Sequence, residues 1–523
     1  MIRKQEIILL ILILLIAGAL RFWQLDTIPP GLYPDVAMNG NDALDALKSG
    51  NFKPFYPENN GREGLFINLI ALSFLIFGPS VWTIKIVAAI IGILTVFGFY
   101  LLVKEVFRLL GPRFLTSNFE LLAVFLLATS FWHLNFSRFG FRAIMVPFFL
   151  VWAFYLLFLG LRQKKLWPVI IAGAVFGLGF HTYIAFRVAP LILPFLLIPY
   201  WLSYRKENLQ KKYLLLVTGY LLSVFIIALP IGLYFLTNPQ DFIGRATGVS
   251  VFSSANPILE FAKSLFVHLQ MFVFAGDSNW RHNLPGWPQL APGLGVLMFL
   301  GLFLVVRDLI RGIRKRKWRE VAVHGFLLSW FFALLLPGAL TLEGIPHALR
   351  TIGVIPVAYI FVAVAVFWFY QLCSEYKVQP SLRRFGAILV LAAVVFLGFF
   401  DTGRYFFVWA KNPNVEGAFT VKYVQIADHL NSLPEETQKY VIVNESGVPV
   451  PYPDGIPMPS QTIMFLERAK FGKLRAVYLK PEELDKIKID GRKTVIVLMK
   501  EDNNLAERVK NMFPDAKVIT NFQ

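Results

Sequence analysis

Cysteine and charge are both scarce in this 523-residue chain, and each scarcity removes a class of protein. A single cysteine, Cys373, excludes a disulfide-stapled secreted module. Charged residues make up 16% against 56% hydrophobic, too few to solvate a globule of this size, so a soluble enzyme is excluded as well. With 51 phenylalanines the chain is far too apolar for intrinsic disorder, and it has no coiled-coil pattern. What it has instead is long apolar runs. Ile7 to Phe22, Ala143 to Gly160, Leu214 to Phe235 and Phe385 to Phe400 approach the roughly 20 residues that cross a ~30 Å hydrocarbon layer, so the expected fold is an all-α polytopic membrane protein.

Acidic residues are also few, 33 against 51 Lys and Arg, which leaves a formal charge of +18. Such an excess invites a nucleic-acid reading, but 22 of the 51 cations fall in short loops between apolar runs. These are Arg3 and Lys4; Lys104, Arg108 and Arg113; Arg162, Lys164 and Lys165; Arg205, Lys206, Lys211 and Lys212; the Arg307 to Arg319 run; and Lys377, Arg383 and Arg384. The positive-inside rule accounts for them without a ligand, and no aromatic-interleaved basic groove accompanies them, so no nucleic-acid partner is expected.

Placing these clusters inside makes the N-terminus cytoplasmic and Ile7 to Phe22 a retained first span, since no small-residue cleavage site follows it. Further spans are expected near 81–103, 119–134, 143–161, 168–181, 184–203, 213–236, 291–306, 322–340, 352–371 and 385–400, about eleven crossings in all. Leu65 to Gly78 would invert the charge pattern if it crossed, and at 14 residues it reads as a helix in the outer interface. Two outer segments are long, 24–64 and 237–290. After Phe400 strand-like runs (Tyr440 to Asn444, Ala476 to Leu479, Thr494 to Met499, Lys517 to Thr520) alternate with polar helical patterns. The expected division is a transmembrane domain over 1–411 and a small extracytoplasmic α/β domain over 412–523. That domain has no GxGxxG after a strand, so an accessory or acceptor-positioning role fits it better than a nucleotide site.

Polar groups at the outer ends of spans are the candidates for chemistry, because ionisable groups at membrane depth are expensive. In PPGLYPDVAMNGNDALDALKSG, Asp35 follows two proline turns and begins a helical pattern, and on spacing alone it reads first as an N-cap. NGREG adds Arg62 and Glu63. NFSRFGFR places Arg138 and Arg142 four apart, where one helical face can carry both. HTYIAFR supplies His181, Tyr183 and Arg187; GDSNWRHN supplies Arg281, His282 and Asn283; EGIPHALR supplies Glu343, His347 and Arg350. Any one arginine can be snorkelling to the interface. Together Arg138, Arg142, Arg187, Arg281 and Arg350 stand on the face that the positive-inside rule depletes, which points to an anionic ligand such as phosphate.

In their order and spacing, PPGLYPD, NGREG, SRFGFRA, HTYIAFRVAP, NWRHN and EGIPHALR resemble the GT-C membrane glycosyltransferases. The likeness is to those of the protein O-mannosyltransferase and aminoarabinose-transferase type, and most closely to bacterial family-39-like members, over the first 400 or so residues. The resemblance implies a polyprenyl-phosphate-linked sugar as donor and an acceptor hydroxyl on a protein, a glycolipid or a cell-wall polymer. It implies Asp35 as catalytic base, in an inverting displacement at the outer face of the plasma membrane. It also implies a phosphate leaving group stabilised by Arg350, His347 and Arg138. Val36 stands where the family commonly has a second carboxylate, which Glu63 or Asp42 would then have to supply. The loop has no DxD motif, so no metal or other cofactor is expected. Two other classes share parts of this pattern: an inactive relative serving as sensor or assembly partner, and a transporter of lipid-linked sugars.

Overall fold

The computed structural model describes residues 4–111, 119–375, 379–452 and 454–521; Arg3, Arg113 and Lys377 of the basic clusters lie outside them. Eight helices among the described residues are long and apolar enough to cross a membrane: Lys4–Phe22, Val81–Leu110, Arg142–Gln163, Ile184–Lys206, Gln210–Thr237, Trp318–Ala339, Ile352–Leu372 and Ile388–Trp409. Helices Phe119–Thr129, Leu166–Gly179 and Leu294–Arg314 stand at the other three expected crossings. The first two are short, and the third carries Arg307, Asp308 and Arg311 towards its C-terminal end. The expected crossing at 119–134 is broken. Ser130 takes an extended conformation and its side chain caps a second helix, Phe131–Phe136, by accepting the His133 N–H.

The chain divides into two compact units, Met1–Trp23 with Ala88–Trp409, and Gln24–Val87 with Ala410–Gln523. Residues 24–64, expected with the spans, fall in the unit that holds the C-terminal residues.

In the first unit the apolar helices pack by shape, since lipid removes the usual hydrophobic drive between them. Leu166–Gly179 lies against Gln210–Thr237 through Gly173 and Gly177, four apart. A Cβ on Gly173 would come within 2.4 Å of the Tyr220 carbonyl oxygen, and one on Gly177 within 2.9 Å of that of Val224. The opposite side of Gln210–Thr237 leaves Leu214, Leu221, Phe225 and Leu236 exposed, a surface suited to acyl chains and not to water. Residues 237–290 hold two helices, Pro239–Val249 and Pro257–Gln270.

In the second unit, strands Val477–Leu479, Gln438–Ile442, Thr494–Leu498 and Lys517–Ile519 form one parallel sheet in that spatial order. Period-two alternation sends Val441, Val495 and Val497 to one core with Ile426, Leu430 and Ile463. Tyr440, Ile442, Ile496 and Leu498 go to the other core, with Leu505 and Val509. A parallel sheet needs both faces covered, and these strands read as continuous apolar runs for that reason. Helix Gln461–Phe471 on the first face also packs on residues 32–45. Asn41 of helix Pro34–Ser49 donates to the Gln461 side chain at 2.9 Å, Thr462 donates to the Leu32 carbonyl at 2.8 Å, and Arg468 pairs with Asp45. Helix Leu65–Phe77, the expected interfacial element, keeps Leu72, Leu75, Ile76 and Phe77 exposed.

Candidate active site

Asp35 is not an N-cap. The cap position of helix Pro34–Ser49 is Tyr33, Pro34 opens the helix, and Asp35 lies in the first turn, where the helix dipole favours an anion. Its carboxylate is half-buried and accepts a hydrogen bond from the Asn59 side-chain amide, 2.6 Å from Oδ1. Among the described residues Oδ2 takes no such bond, so it faces no competing donor. Val36 is 1% exposed. A carboxylate there would lose its hydration inside the unit, and position 36 is a packing position in this chain.

Arg62 and Glu63 are both buried, in the short strand Arg62–Glu63 that pairs with Phe55–Tyr56. Arg62 donates to Asn39 at 2.9 Å and pairs with Asp42 at 2.6 Å, one turn apart on helix Pro34–Ser49. Burial pushes the Asp42 carboxyl up, against the opposing pull of Arg62. Arg62 thus staples the Asp35 helix through Asn39 and Asp42.

The first unit gathers a different group. Asp277, 2% exposed, accepts at Oδ2 from the His282 Nδ1 and from the Ala348 backbone N–H, both at 2.8 Å, and at Oδ1 from the Asn279 N–H at 2.8 Å. The His347 ring lies 5.0 Å from that of His282, with its Nδ1 3.9 Å from Asp277 Oδ2. His268 completes the cluster. Its Nδ1 is 2.7 Å from the Ser264 carbonyl, which makes that nitrogen the donor, so Nε2 is free to accept the His347 backbone N–H at 3.1 Å. Burial lowers the pKa of His268, in keeping with this neutral tautomer. Arg350 donates to the Thr341 hydroxyl at 2.7 Å and the Glu343 carbonyl at 3.1 Å, and pairs loosely with the exposed Glu343 carboxylate at 3.3 Å. Sequence reasoning missed Asp277 and His268. The signal for Asp277 was present in GDSNWRHN, where an Asx turn precedes a histidine five residues on; His268 had none. Ligand atoms of Asp277, His282 and His347 lie within 4.8 Å of one another, a set that suits a divalent cation in type. To ligate a cation through Nδ1, His282 would have to give up the proton it now donates to Asp277.

Other expected site residues make contacts within the chain. Arg138 and Arg142 do not share a helical face, because the helix ends at Phe136 and Gly140 turns the chain with positive φ. Arg138 is fully buried, donating to the carbonyls of Leu20 and Trp23 at the end of helix Lys4–Phe22 and lying over the Phe406 ring. It caps a helix whose last carbonyls have no intrahelical partner. Arg142 stacks on Tyr183, which joins those two candidates. Arg187 donates to the Phe242 carbonyl and stacks on Phe235 and Phe242. His181 Nε2 is 3.0 Å from the Ile227 carbonyl, and Asn283 donates to that of Trp287 at 2.9 Å. The Arg281 carbonyl accepts from Asn135, and its side chain is half-buried.

A family profile described as dolichyl-phosphate-mannose-protein mannosyltransferase matches residues 65–232. YkcB of Bacillus subtilis (strain 168), named as a mannosyltransferase, is 26% identical over 223 residues, 42% of this chain and 29% of that protein, so the match spans under a third of the relative's length. The crystal structure of ArnT from Cupriavidus metallidurans bound to undecaprenyl phosphate superposes with a TM-score of 0.50 at 12% identity, over 98% of this chain and 94% of that one. The same protein in the apo state gives 0.53 at 14% identity, over 98% and 89%. With eight helices among the described residues long and apolar enough to cross a membrane and a whole-chain likeness to ArnT, the chain is a multi-pass membrane protein of the GT-C glycosyltransferase fold.

Proposed function

We propose that this protein transfers a sugar from a polyprenyl-phosphate donor to an acceptor hydroxyl at the outer face of the membrane, by a metal-independent inverting displacement. The observation that carries this reading is Asp35: a half-buried carboxylate in the first turn of a stapled helix, with one oxygen held by Asn59 and the other open. Oδ2 takes the proton of the acceptor hydroxyl while that oxygen attacks the anomeric carbon. The bond from the anomeric carbon to the phosphate oxygen breaks on the opposite face, and the polyprenyl phosphate leaves with the negative charge. Arg350 and His347 supply the cationic side. Arg350 is held by a hydroxyl and a carbonyl, and its exposed partner Glu343 is displaceable by a phosphate. The acceptor is a protein, a glycolipid or a cell-wall polymer.

Replacing Arg350 with Ala is expected to lower the transfer rate by about 10²–10³-fold, as for other preorganised donors to a developing anion. Lys should restore only part, because it cannot form the bidentate fork. Wild-type transfer by the Ala variant would return Arg350 to holding its own loop. Glycans on membrane proteins and lipids of cells with and without each variant, compared by mass spectrometry, give the readout.

The proposed orientation has a cytoplasmic N-terminus and the C-terminal unit outside. With Cys373 removed, cysteines placed at Lys164, Lys211 and Lys315 should resist an impermeant thiol reagent in intact cells, while those at Asn256 and Asn444 should label. Labelling at Lys315 would reverse the orientation.

A further inference from the structure

Glu58, Asn59, Asn60 and Gly61 form the turn between strands Phe55–Tyr56 and Arg62–Glu63, and its last three residues all have positive φ, 55°, 61° and 83°. Asparagine tolerates that region and glycine is at ease there. A side chain on Gly61 would in addition meet the Phe55 ring at 2.5 Å. The turn is anchored on two sides. Towards helix Pro34–Ser49, Arg62 donates to the Glu58 carbonyl at 3.2 Å as well as to Asn39 and Asp42. Towards the C-terminal residues, Tyr452 is bonded twice. Its hydroxyl accepts the Asn60 N–H at 3.0 Å, and its own N–H donates to the Glu58 carboxylate at 3.1 Å. Tyr452 lies in the connection between strands Pro449–Val450 and Ile456–Pro457, an antiparallel hairpin.

A left-handed turn needs only backbone freedom at position 59, which glycine would supply. The Asn59 side chain adds a buried amide aimed at a carboxylate, and an acceptor-only partner fixes which end of the amide faces it. The charges on the same turn are committed elsewhere, Glu58 to Tyr452 and Arg62 to Asp42, so Asn59 is the group that orients Asp35. We infer that Asn59 is a positioning residue for Asp35 and that Tyr452, by fixing both ends of the Glu58–Asn60 segment, makes the hairpin 449–457 the element that holds the base in its working geometry. This rests on Asp35 being the base, and it gives the C-terminal residues a specific part in the reaction, because Tyr452 holds the turn that carries Asn59.

The inference is tested by carbodiimide labelling of Asp35 in the purified full chain at one fixed pH, with glycine ethyl ester as the trapping amine, followed over time by peptide mass spectrometry. Asn59→Gly keeps the turn and removes the amide; the labelling rate should rise roughly threefold or more as the carboxylate loses its donor and opens to the reagent. Asn59→Asp keeps the shape and removes the donor, so the Asp35 rate should rise as well. Tyr452→Phe keeps the ring and deletes the hydroxyl, and should raise the rate by less than Asn59→Gly. Superimposable labelling curves for the parent and both Asn59 variants, with unchanged thermal midpoints, would overturn the inference. The labelling needs no sugar donor, so it stays readable if Asp35→Asn keeps transferring sugar. That separate result would remove the base assignment and leave the Asn59–Asp35 coupling standing or falling by its own curve.

Discussion

Asp35→Asn is expected to abolish sugar transfer while leaving the fold and the binding of lipid-linked sugar intact. The amide has the shape of the carboxylate, but it cannot take the proton of an attacking hydroxyl. General-base assistance contributes about 10²–10⁴-fold in enzymes that use it, and for acceptors that react only when deprotonated the loss will read as complete. The substituted side chain can still meet Asn59 by turning its carbonyl oxygen towards that residue's amide, so the helix start at Pro34 should survive and the thermal midpoint should move little. Glycan profiles of cells carrying the variant measure the outcome. Undiminished transfer would remove Asp35 as the base. A wild-type chain that itself transfers nothing would favour the inactive-relative reading. Restoring a glutamate at position 36 offers no rescue, since the Val36 side chain is enclosed and the new charge would be buried without a partner.

Asp277→Ala is the second large effect, and its sign is on stability as well as activity. The carboxylate takes three hydrogen bonds, from the Asn279 and Ala348 backbones and from the His282 ring, and both Asp277 and His282 are almost fully buried. Removing it leaves those donors without an acceptor. At roughly 1–3 kcal/mol for each buried donor left unsatisfied, partly relieved by relaxation, a loss of about 3–5 kcal/mol is expected. The Ala348 bond also ties the 276–290 segment to the stretch that carries His347 and Arg350, so transfer should fall with it. Asp277→Asn keeps an acceptor oxygen but turns an amide donor towards one of the three, and should fall between the two. Thermal unfolding of the detergent-solubilised protein gives the comparison. A midpoint for Asp277→Ala within about a degree of the parent would mean that water satisfies these donors and that the cluster is not a structural keystone.

Much of the architecture was legible because its causes are local. A run of apolar residues has one good environment in a bilayer, and Lys and Arg clusters orient it, so the crossings could be read from Ile7 to Phe22 onward. The four C-terminal strands were legible for a similar reason: continuous β-branched runs such as Thr494 to Met499 bury both faces. Candidate residues were less legible. Arg138 and Arg142 were paired on the assumption of helical periodicity, which Ser130 and Gly140 interrupt. Arginine type alone could not tell the phosphate candidate Arg350 from the helix-capping Arg138, because the distinction lies in which carbonyls happen to be near.

By itself, then, the sequence determined that the chain is a polytopic membrane protein with an α/β C-terminal part, and that Asp35 begins a helix after two proline turns. Composition, run length and turn chemistry act within about twenty residues, and each is readable without knowing what folds against what. Only the tertiary structure decided that the Asp35 segment is compact with residues 410–523, that Asn59 holds the carboxylate, and that Asp277 and His268 organise the histidines around His347. Those are contacts between groups up to several hundred residues apart, such as Tyr452 with Asn60. Their hydrogen bonds depend on distances of a few tenths of an ångström that no spacing along the chain encodes.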